Sequence, residues 1–322
     1  MHFERDVIRR PGYGMGAPRI AVIIPCYNEE IAIATVVADF QRALPDARVV
    51  VFDNRSTDAT APCAARAGAE LHSESLRGKG HVVRRAFADI EADYYILVDG
   101  DGTYDAGAAP ALVERMRAER LDMIVAARVA EDTAAYRQFH QFGNRAITGM
   151  VRHLFGDRMS DLLSGYRVFS RRFVKSFPVM ARGFEIETEL TVHALELDLP
   201  IAELALPYRP RGAGSTSKLN TWRDGFRIGR MILTLLRDQK PLAFFGALGA
   251  ALGLAGLLLA VPVLITFIQT GLVPRLPTAV LATGVELVAF SAFICGVILD
   301  SVARGRKQTK RLAYLAQPAF GE

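Results

Sequence analysis

Asp99 and Asp101 carry the sharpest chemical signal in the chain. They bracket Gly100 directly after an apolar run, Tyr94–Val98. Carboxylates two apart on an extended backbone point the same way, so two hard oxygen donors converge at one strand end. That donor set suits Mg2+ or Mn2+ bound together with phosphate oxygens. Gly100 and Gly102 permit a tight turn and close approach of a ligand. A plain polar Asp-Gly turn accounts for the same residues. The position after a fully apolar strand, in an alternating strand–helix frame, favours the metal.

Two further polar constellations follow the same rule of position, and a third precedes a helix. Pro25-Cys-Tyr-Asn-Glu29 comes after the run Arg19–Ile24, where Tyr27 can stack on a base and Glu29 can bind a base or ribose. Strand termination and a helix cap at Asn28 explain it equally. Asp53-Asn-Arg-Ser-Thr-Asp58 follows the run Arg48–Phe52. Asp53 can accept a hydrogen bond from a base NH, whereas Ser56 and Asp58 read as caps of the next helix. Arg77-Gly-Lys79-Gly80 precedes a helix, and a cation with glycines at a helix N-terminus forms an anion site. Each is weak alone; three strand ends with polar clusters in one sheet are hard to explain as turns.

The elements that must position these residues alternate. From Arg19 to Val125, short β-branched runs are separated by helix-length stretches of about 29–44, 57–67 (ending at Gly68) and 80–90, and 122–126 is one more strand. Such alternation predicts an α/β fold with a mostly parallel sheet covered by helices on both faces. Ligands gather at the carboxyl ends of strands in such sheets. Beyond, 138–154 and 187–197 read as helices and 166–169 and 201–206 as strands.

Apolar residues are 51% of the 322-residue chain, but much of the excess lies after Lys240. Residues 242–270 and 277–300 are two long apolar runs, each sufficient to cross a bilayer, and they predict a transmembrane hairpin (241–303). Glu286 is the one charge in the second run to about Ile298 and should face another helix or a subunit. Small residues such as Gly246, Gly249, Gly253 and Gly256 could pack between subunits of a homo-oligomer. Residues 219–240 predict an amphipathic helix at the membrane surface, with Trp222, Phe226 and Met231 among several Arg. Net charge is +5, and the basic residues crowd the flanks of the apolar runs, up to the basic tail 304–322. That placement points to membrane lipid and puts both termini in the cytoplasm. No zinc-finger spacing or RNA-binding signature directs the charge to nucleic acid. Cys26, Cys63 and Cys295 form no framework and read as free thiols. Residues 1–18 read as a flexible leader, not a signal peptide.

IIPCYNEE, VVVFDNRSTDAT, RGKG, LVDGDGTYD and DLLSGYRVFSRR, in this order, resemble family 2 glycosyltransferases of the GT-A fold. Within these the chain is similar to the dolichol-phosphate mannose synthase group and its bacterial polyprenyl-phosphate relatives. The likeness covers residues 19–218, which it implies are the catalytic domain, and the hairpin matches the bacterial members. It implies a nucleoside pocket at Pro25, Tyr27, Glu29 and Asp53, with Lys79, Asp99 and Gly100 beside it. Asp101 matches the direct metal ligand, and Asp99 the first carboxylate of the metal motif. Ser164, Gly165 and Arg167 match the motif beside the acceptor phosphate. Arg211, Ser217 and Lys218 lie where relatives carry a basic loop over the phosphates. Relatives often carry two acidic residues where this chain has Asp53-Asn54. Thr103 stands where mannose synthases often have Gln, which favours UDP-linked sugars over GDP-mannose.

The implied reaction is inverting transfer of a sugar from a nucleoside diphosphate to a polyprenyl phosphate at a bacterial inner membrane. A phosphate monoester is already anionic near neutral pH and needs no protein base, so His140, His153 and His193 read as structural. Arg137, Arg145, Arg152 and Arg167 are candidates to grip that phosphate, or are simply solvated helix faces. Glu185 and Glu187 are candidate partners for these cations. A lipid hydroxyl acceptor, which would need a base, and a non-catalytic nucleotide-binding scaffold are the competing readings.

Overall fold

The computed structural model describes residues 18–130, 149–152, 156, 159–183, 185–209, 230 and 233–318. The chain divides into two compact units, Met1–Leu219 with Lys310–Glu322, and Asn220–Thr309.

In the first unit the elements run β1 (Ile20–Cys26), α1 (Ile33–Ala43), β2 (Arg48–Asp53), α2 (Thr60–Arg66), β3 (Glu70–Ser73), α3 (Lys79–Asp89), β4 (Tyr94–Leu97), α4 (Ala109–Ala118), β5 (Met123–Ala130), β6 (Arg167–Ser170), α5 (Arg171–Ser176), α6 (Ile186–Glu196) and β7 (Ile201–Tyr208). The strands form one sheet in the order β3-β2-β1-β4-β6-β5-β7. Ala21, Val22, Ile23 and Ile24 are all fully buried, as a central parallel strand covered on both faces requires. Val22, Ile24, Val51 and Ile96 join Val37 and Phe40 of α1 and Leu112 of α4 in one core. On the other face Phe87 of α3 meets Tyr95, Phe169 and Phe177 edge-on, and Phe173 of α5 stacks on Phe169.

The sheet is mixed. β6 lies between β4 and β5 and is antiparallel to both. β5 leaves the sheet at the carboxyl edge, and the chain returns into β6 at that same edge, so β6 must run backwards. DLLSG therefore arrives at the ligand edge, with Arg167 opposite Leu97 of β4.

Other boundaries moved for local reasons. Asn28 does not cap α1: it takes a left-handed backbone, φ 54°, and α1 starts at Ile33. Its side chain instead ties the β1 loop to the β2 loop, accepting from Thr57 N at 2.8 Å and donating to Thr57 Oγ1 at 3.2 Å. Edge strand β3 has no apolar alternation to announce it. The short α5 is capped by Ser170 Oγ, which accepts from Phe173 N at 3.0 Å.

The predicted basic tail is not separate. The last helix, α8 (Leu276–Leu315), runs unbroken to Leu315, and the residues from Lys310 belong to the first unit. Lys310 Nζ pairs with Glu196 at 2.8 Å, and Arg172 lies over the Tyr314 ring at 4.8 Å. Tyr314 OH donates to Asp122 Oδ2 at 2.7 Å, and Ser170 Oγ to Asp122 Oδ1 at 2.6 Å. Burial pushes the Asp122 carboxyl up, opposed by these two donors. Tyr314→Phe removes one donor from a buried carboxylate and is expected to cost about 1–3 kcal/mol, read as a lower denaturant midpoint of the full chain in detergent.

The second unit holds α7 (Pro241–Thr270) and most of α8 (Leu276–Leu315), both long and apolar enough to cross a membrane. The two pack through small residues: a Cβ on Gly249 would meet Ala289 O at 2.9 Å, and one on Gly296 the Phe245 Cβ at 3.1 Å. The Glu286 carboxylate reaches across to α7, 2.7 Å from where a Gly256 Cβ would sit. Gly249 and Gly256 thus serve contact within the hairpin. Of the predicted 219–240 helix, residues 230, 233–239 and 240 are described, and all but Lys240 are helical.

Candidate active site

The carboxyl ends of β1, β2 and β4 share one sheet edge, because the three strands are parallel neighbours. Asn54 N donates to Cys26 O at 2.8 Å, and Val98 N to Ile23 O at 3.1 Å, which holds the three loops in register. Cys26 sits among the resulting polar groups. Burial pushes its thiol well up, and the charges of Glu29, Asp53, Asp99 and Asp101 push it further. Four predicted site carboxylates therefore lie in loops at this one sheet edge, near enough to Cys26 for their charges to act on it.

Each is held differently. Asp101 is 5% exposed and accepts from Thr103 Oγ1 at 2.6 Å and Thr103 N at 3.2 Å. Thr103 thus has a local task at this turn. Asp53 accepts from Ser56 N at 3.3 Å. Glu29 N donates to Thr60 Oγ1 at 2.8 Å, fixing the backbone that carries its side chain. Tyr27, just past Cys26, lies under the Arg77 guanidinium at 5.4 Å. Asp99 accepts from Lys79 Nζ at 2.5 Å.

The glycines have specific neighbours. A Cβ on Gly100 would press on Cys26 Sγ, and Gly102 has φ +75°. A Cβ on Gly165 would overlap the Asp99 carboxylate, so DLLSG closes directly on the DGD turn. Gly165 N donates to Tyr104 OH at 2.8 Å from the same turn.

Asn54 is the amide where relatives were expected to carry acid. It donates to Glu74 O at 3.0 Å and Leu76 O at 2.7 Å, and accepts from Gly78 N at 2.7 Å. An aspartate cannot donate to two carbonyls. Asn54→Asp is expected to cost about 2–3 kcal/mol, with the thermal midpoint as the measurement and the isosteric shape excluding a packing explanation.

Three expectations need correction. The N-terminus of α3 is not an open anion site: the backbone carbonyls of Ala181 and Arg182 crowd Gly80 and Gly78 where side chains would be. Those glycines admit a backbone segment, and Lys79 turns inward. Arg167 is fully buried. Its Nε donates to Ser164 O at 2.9 Å, Nη1 to Thr191 Oγ1 at 2.7 Å and Nη2 to Leu162 O at 2.6 Å. Burial lowers its pKa to about 10, with Glu187 and Asp161 opposing, so it stays charged while its donors hold the DLLSG loop and α6. Ser164, also fully buried, donates to Ala126 O at 2.5 Å. Neither offers a donor to an acceptor phosphate; both position the loop. Arg152 is exposed at 149–152, and Arg137, Arg211, Ser217 and Lys218 lie outside the described residues.

A pair missed in the sequence is Arg128 with Asp161. Arg128 Nε is 2.7 Å from Asp161 Oδ2 and Nη2 is 2.9 Å from Oδ1. Burial raises the Asp161 pKa, but Arg128 outweighs it and holds the carboxyl below its usual value. The guanidinium also stacks over Tyr208 at 5.6 Å. The only signal was a lone Arg ending one strand and a lone Asp opening a motif.

No cluster of three or more His, Cys, Asp or Glu among the described residues is placed to hold a metal alone. Asp99 and Asp101, two hard oxygen donors on one turn, fit a divalent cation that takes its remaining ligands from phosphate oxygens and water, as Mg2+ commonly does.

Residues 21–177 match the family model described as glycosyl transferase family 2. Over 306 residues the chain is 34% identical to the glycosyltransferase AglJ of Haloferax volcanii, covering 92% of this chain and 98% of that protein. It is 26% identical over 221 residues to a dolichyl-phosphate hexose transferase of the same organism, 69% of this chain and 95% of that one. Among solved structures, glucosyl-3-phosphoglycerate synthase of Mycobacterium tuberculosis with Mn2+, UDP-glucose and glycerol 3-phosphate matches with TM-score 0.55 and 25% identity, covering 71% of this chain and 85% of that one. The same enzyme has been solved with Mg2+ and UDP (TM-score 0.57, 24% identity, 70% of this chain and 84% of that one).

Proposed function

The chain belongs to glycosyl transferase family 2, and from that premise we propose that it moves a sugar from a UDP-linked donor to a polyprenyl phosphate at the cytoplasmic face of a membrane. The observation that carries the reading is that the loops bearing Glu29, Asp53, Asp99 and Asp101 share one sheet edge, in a chain with two helices fit to cross a bilayer. The dolichyl-phosphate hexose transferase supports the acceptor class, and the UDP-glucose complex supports the donor.

In this reading Tyr27, Glu29 and Asp53 hold the nucleoside, with Pro25 and Gly100 shaping the backbone around it. Asp101, with Asp99 beside it, would hold Mg2+ or Mn2+, whose chemistry is Lewis-acid neutralisation of the departing diphosphate. The acceptor phosphate is itself the nucleophile, so the protein needs to position it rather than deprotonate it. Arg137, Arg152, Arg211, Ser217 and Lys218 are assigned to its oxygens. Arg209, the last described residue before 210–218, donates its N–H to Thr103 O at 3.0 Å, two residues beyond Asp101. His193 is set aside as a base. It is buried against Phe173 and Phe177, and burial, aided by Lys310, lowers its pKa to about 3.

The test is a panel of radiolabelled nucleotide sugars with undecaprenyl phosphate in vesicles. Chelator-sensitive label in the lipid phase from a UDP-sugar is expected. Transfer to diacylglycerol with none to the lipid phosphate would move the acceptor assignment to a hydroxyl.

A further inference from the structure

Lys79 breaks a local rule. It is the first residue of α3, where the helix dipole disfavours a cation, and it is only 8% exposed. Buried lysines persist when paired and hydrogen-bonded. Lys79 Nζ lies 2.5 Å from Asp99 Oδ1 and 2.5 Å from Glu187 Oε1. Glu187, at the start of α6, is 4% exposed, and its other oxygen, Oε2, is buried with no hydrogen-bond partner among the described residues. One ammonium thus joins three elements that are distant in sequence: the α3 N-terminus, the DGD turn and α6.

The surroundings fix this bridge from outside. Ala181 and Arg182 carbonyls pack over Gly80 and Gly78, turning Lys79 away from solvent. The segment that supplies them is held by Glu189, whose carboxylate accepts from Ala181 N at 2.7 Å and Met180 N at 3.0 Å. On the far side Asp99 abuts Gly165, so Asp99 is clamped between the lysine and the DLLSG loop. Glu187 O also accepts from Thr191 Oγ1 at 3.1 Å, the same hydroxyl that receives Arg167.

We infer that Glu187 and Lys79 are positioning residues for the donor site: Glu187 holds the Lys79 ammonium in place, and Lys79 fixes the Asp99 carboxylate beside the bound metal and diphosphate. The inference rests on the donor reading above. Without Glu187, Lys79 is free to move wholly onto Asp99 and draw it from the turn. Without Lys79, Asp99 loses the ammonium that clamps it and Glu187 loses its cation.

The experiment is calorimetric titration of UDP in saturating Mn2+ into the full chain in detergent, for wild type, Glu187→Gln, Lys79→Met and the double variant. Glu187→Gln is expected to weaken Mn2+·UDP binding five- to tenfold and to raise the donor KM, leaving the acceptor KM unchanged. Lys79→Met alone strands a buried carboxylate and is expected to lower the melting temperature. The double variant removes the buried Glu187 charge and leaves only Asp99, whose side chain is 32% exposed to water, so it recovers the melting temperature and still binds tenfold weaker. A double variant that binds within twofold of wild type overturns the inference and makes the bridge purely structural. Wild-type chain that does not bind Mn2+·UDP overturns the donor reading, and this inference with it.

Discussion

Asp101→Asn is expected to lower turnover by about 10²–10³-fold, the scale of removing one preorganised electrostatic contact from a site where charge develops. The substitution isolates charge from shape. Asn keeps an oxygen that can accept from Thr103 Oγ1 and N, which lie 2.6 and 3.2 Å from Asp101 Oδ1. The turn therefore survives, and the melting temperature should change little. What disappears is the anionic oxygen that would meet a cation. Because the site is only 5% exposed at this residue, water cannot screen the loss as it does at a surface. Initial rates measured against Mn2+ concentration check the prediction. Full activity in a folded Asp101→Asn protein would remove Asp101 from the metal site.

The edge that carries the candidate site was legible because parallel strands deliver their carboxyl ends to one side of the sheet. A polar cluster after each apolar run is then a statement about space, and the loops that carry Pro25–Glu29, Asp53 and Asp99–Asp101 leave the sheet at the same edge. The fold class was legible from the same alternation. What remained hidden depends on long-range pairing. Nothing near Lys79 in sequence says that its partner is Glu187, 108 residues away. The RGKG run has the composition of an anion site, and only the packing of Ala181 and Arg182 shows that a backbone segment already fills it. Asn54 looked like a departure from an acidic pair; its three hydrogen bonds give it a reason that no spacing carries. The helical docking of the C-terminus was equally silent, since Tyr314 and Asp122 are 192 residues apart.

Arg167 shows how motif reading and burial diverge, and it yields the largest expected change in stability. Arg167→Met is expected to destabilise the first unit by about 3–5 kcal/mol. Methionine fills similar length, so the loss is chiefly polar. Ser164 O, Leu162 O and Thr191 Oγ1 would each lose a charged donor now at 2.9, 2.6 and 2.7 Å. Glu187 and Asp161 would also lose a nearby cation, as both act on the Arg167 guanidinium. Set against the roughly 5–15 kcal/mol that ordinarily separates folded from unfolded domains, this is a large fraction. Arg167→Lys should recover little, because a single ammonium cannot reach acceptors spread around a planar fork. A residue gripping the acceptor phosphate would behave otherwise: its loss would raise the acceptor KM at unchanged stability. Denaturant midpoints of the two variants, alongside acceptor KM for whichever fraction folds, separate the roles. An unchanged midpoint with a raised acceptor KM would return Arg167 to the phosphate.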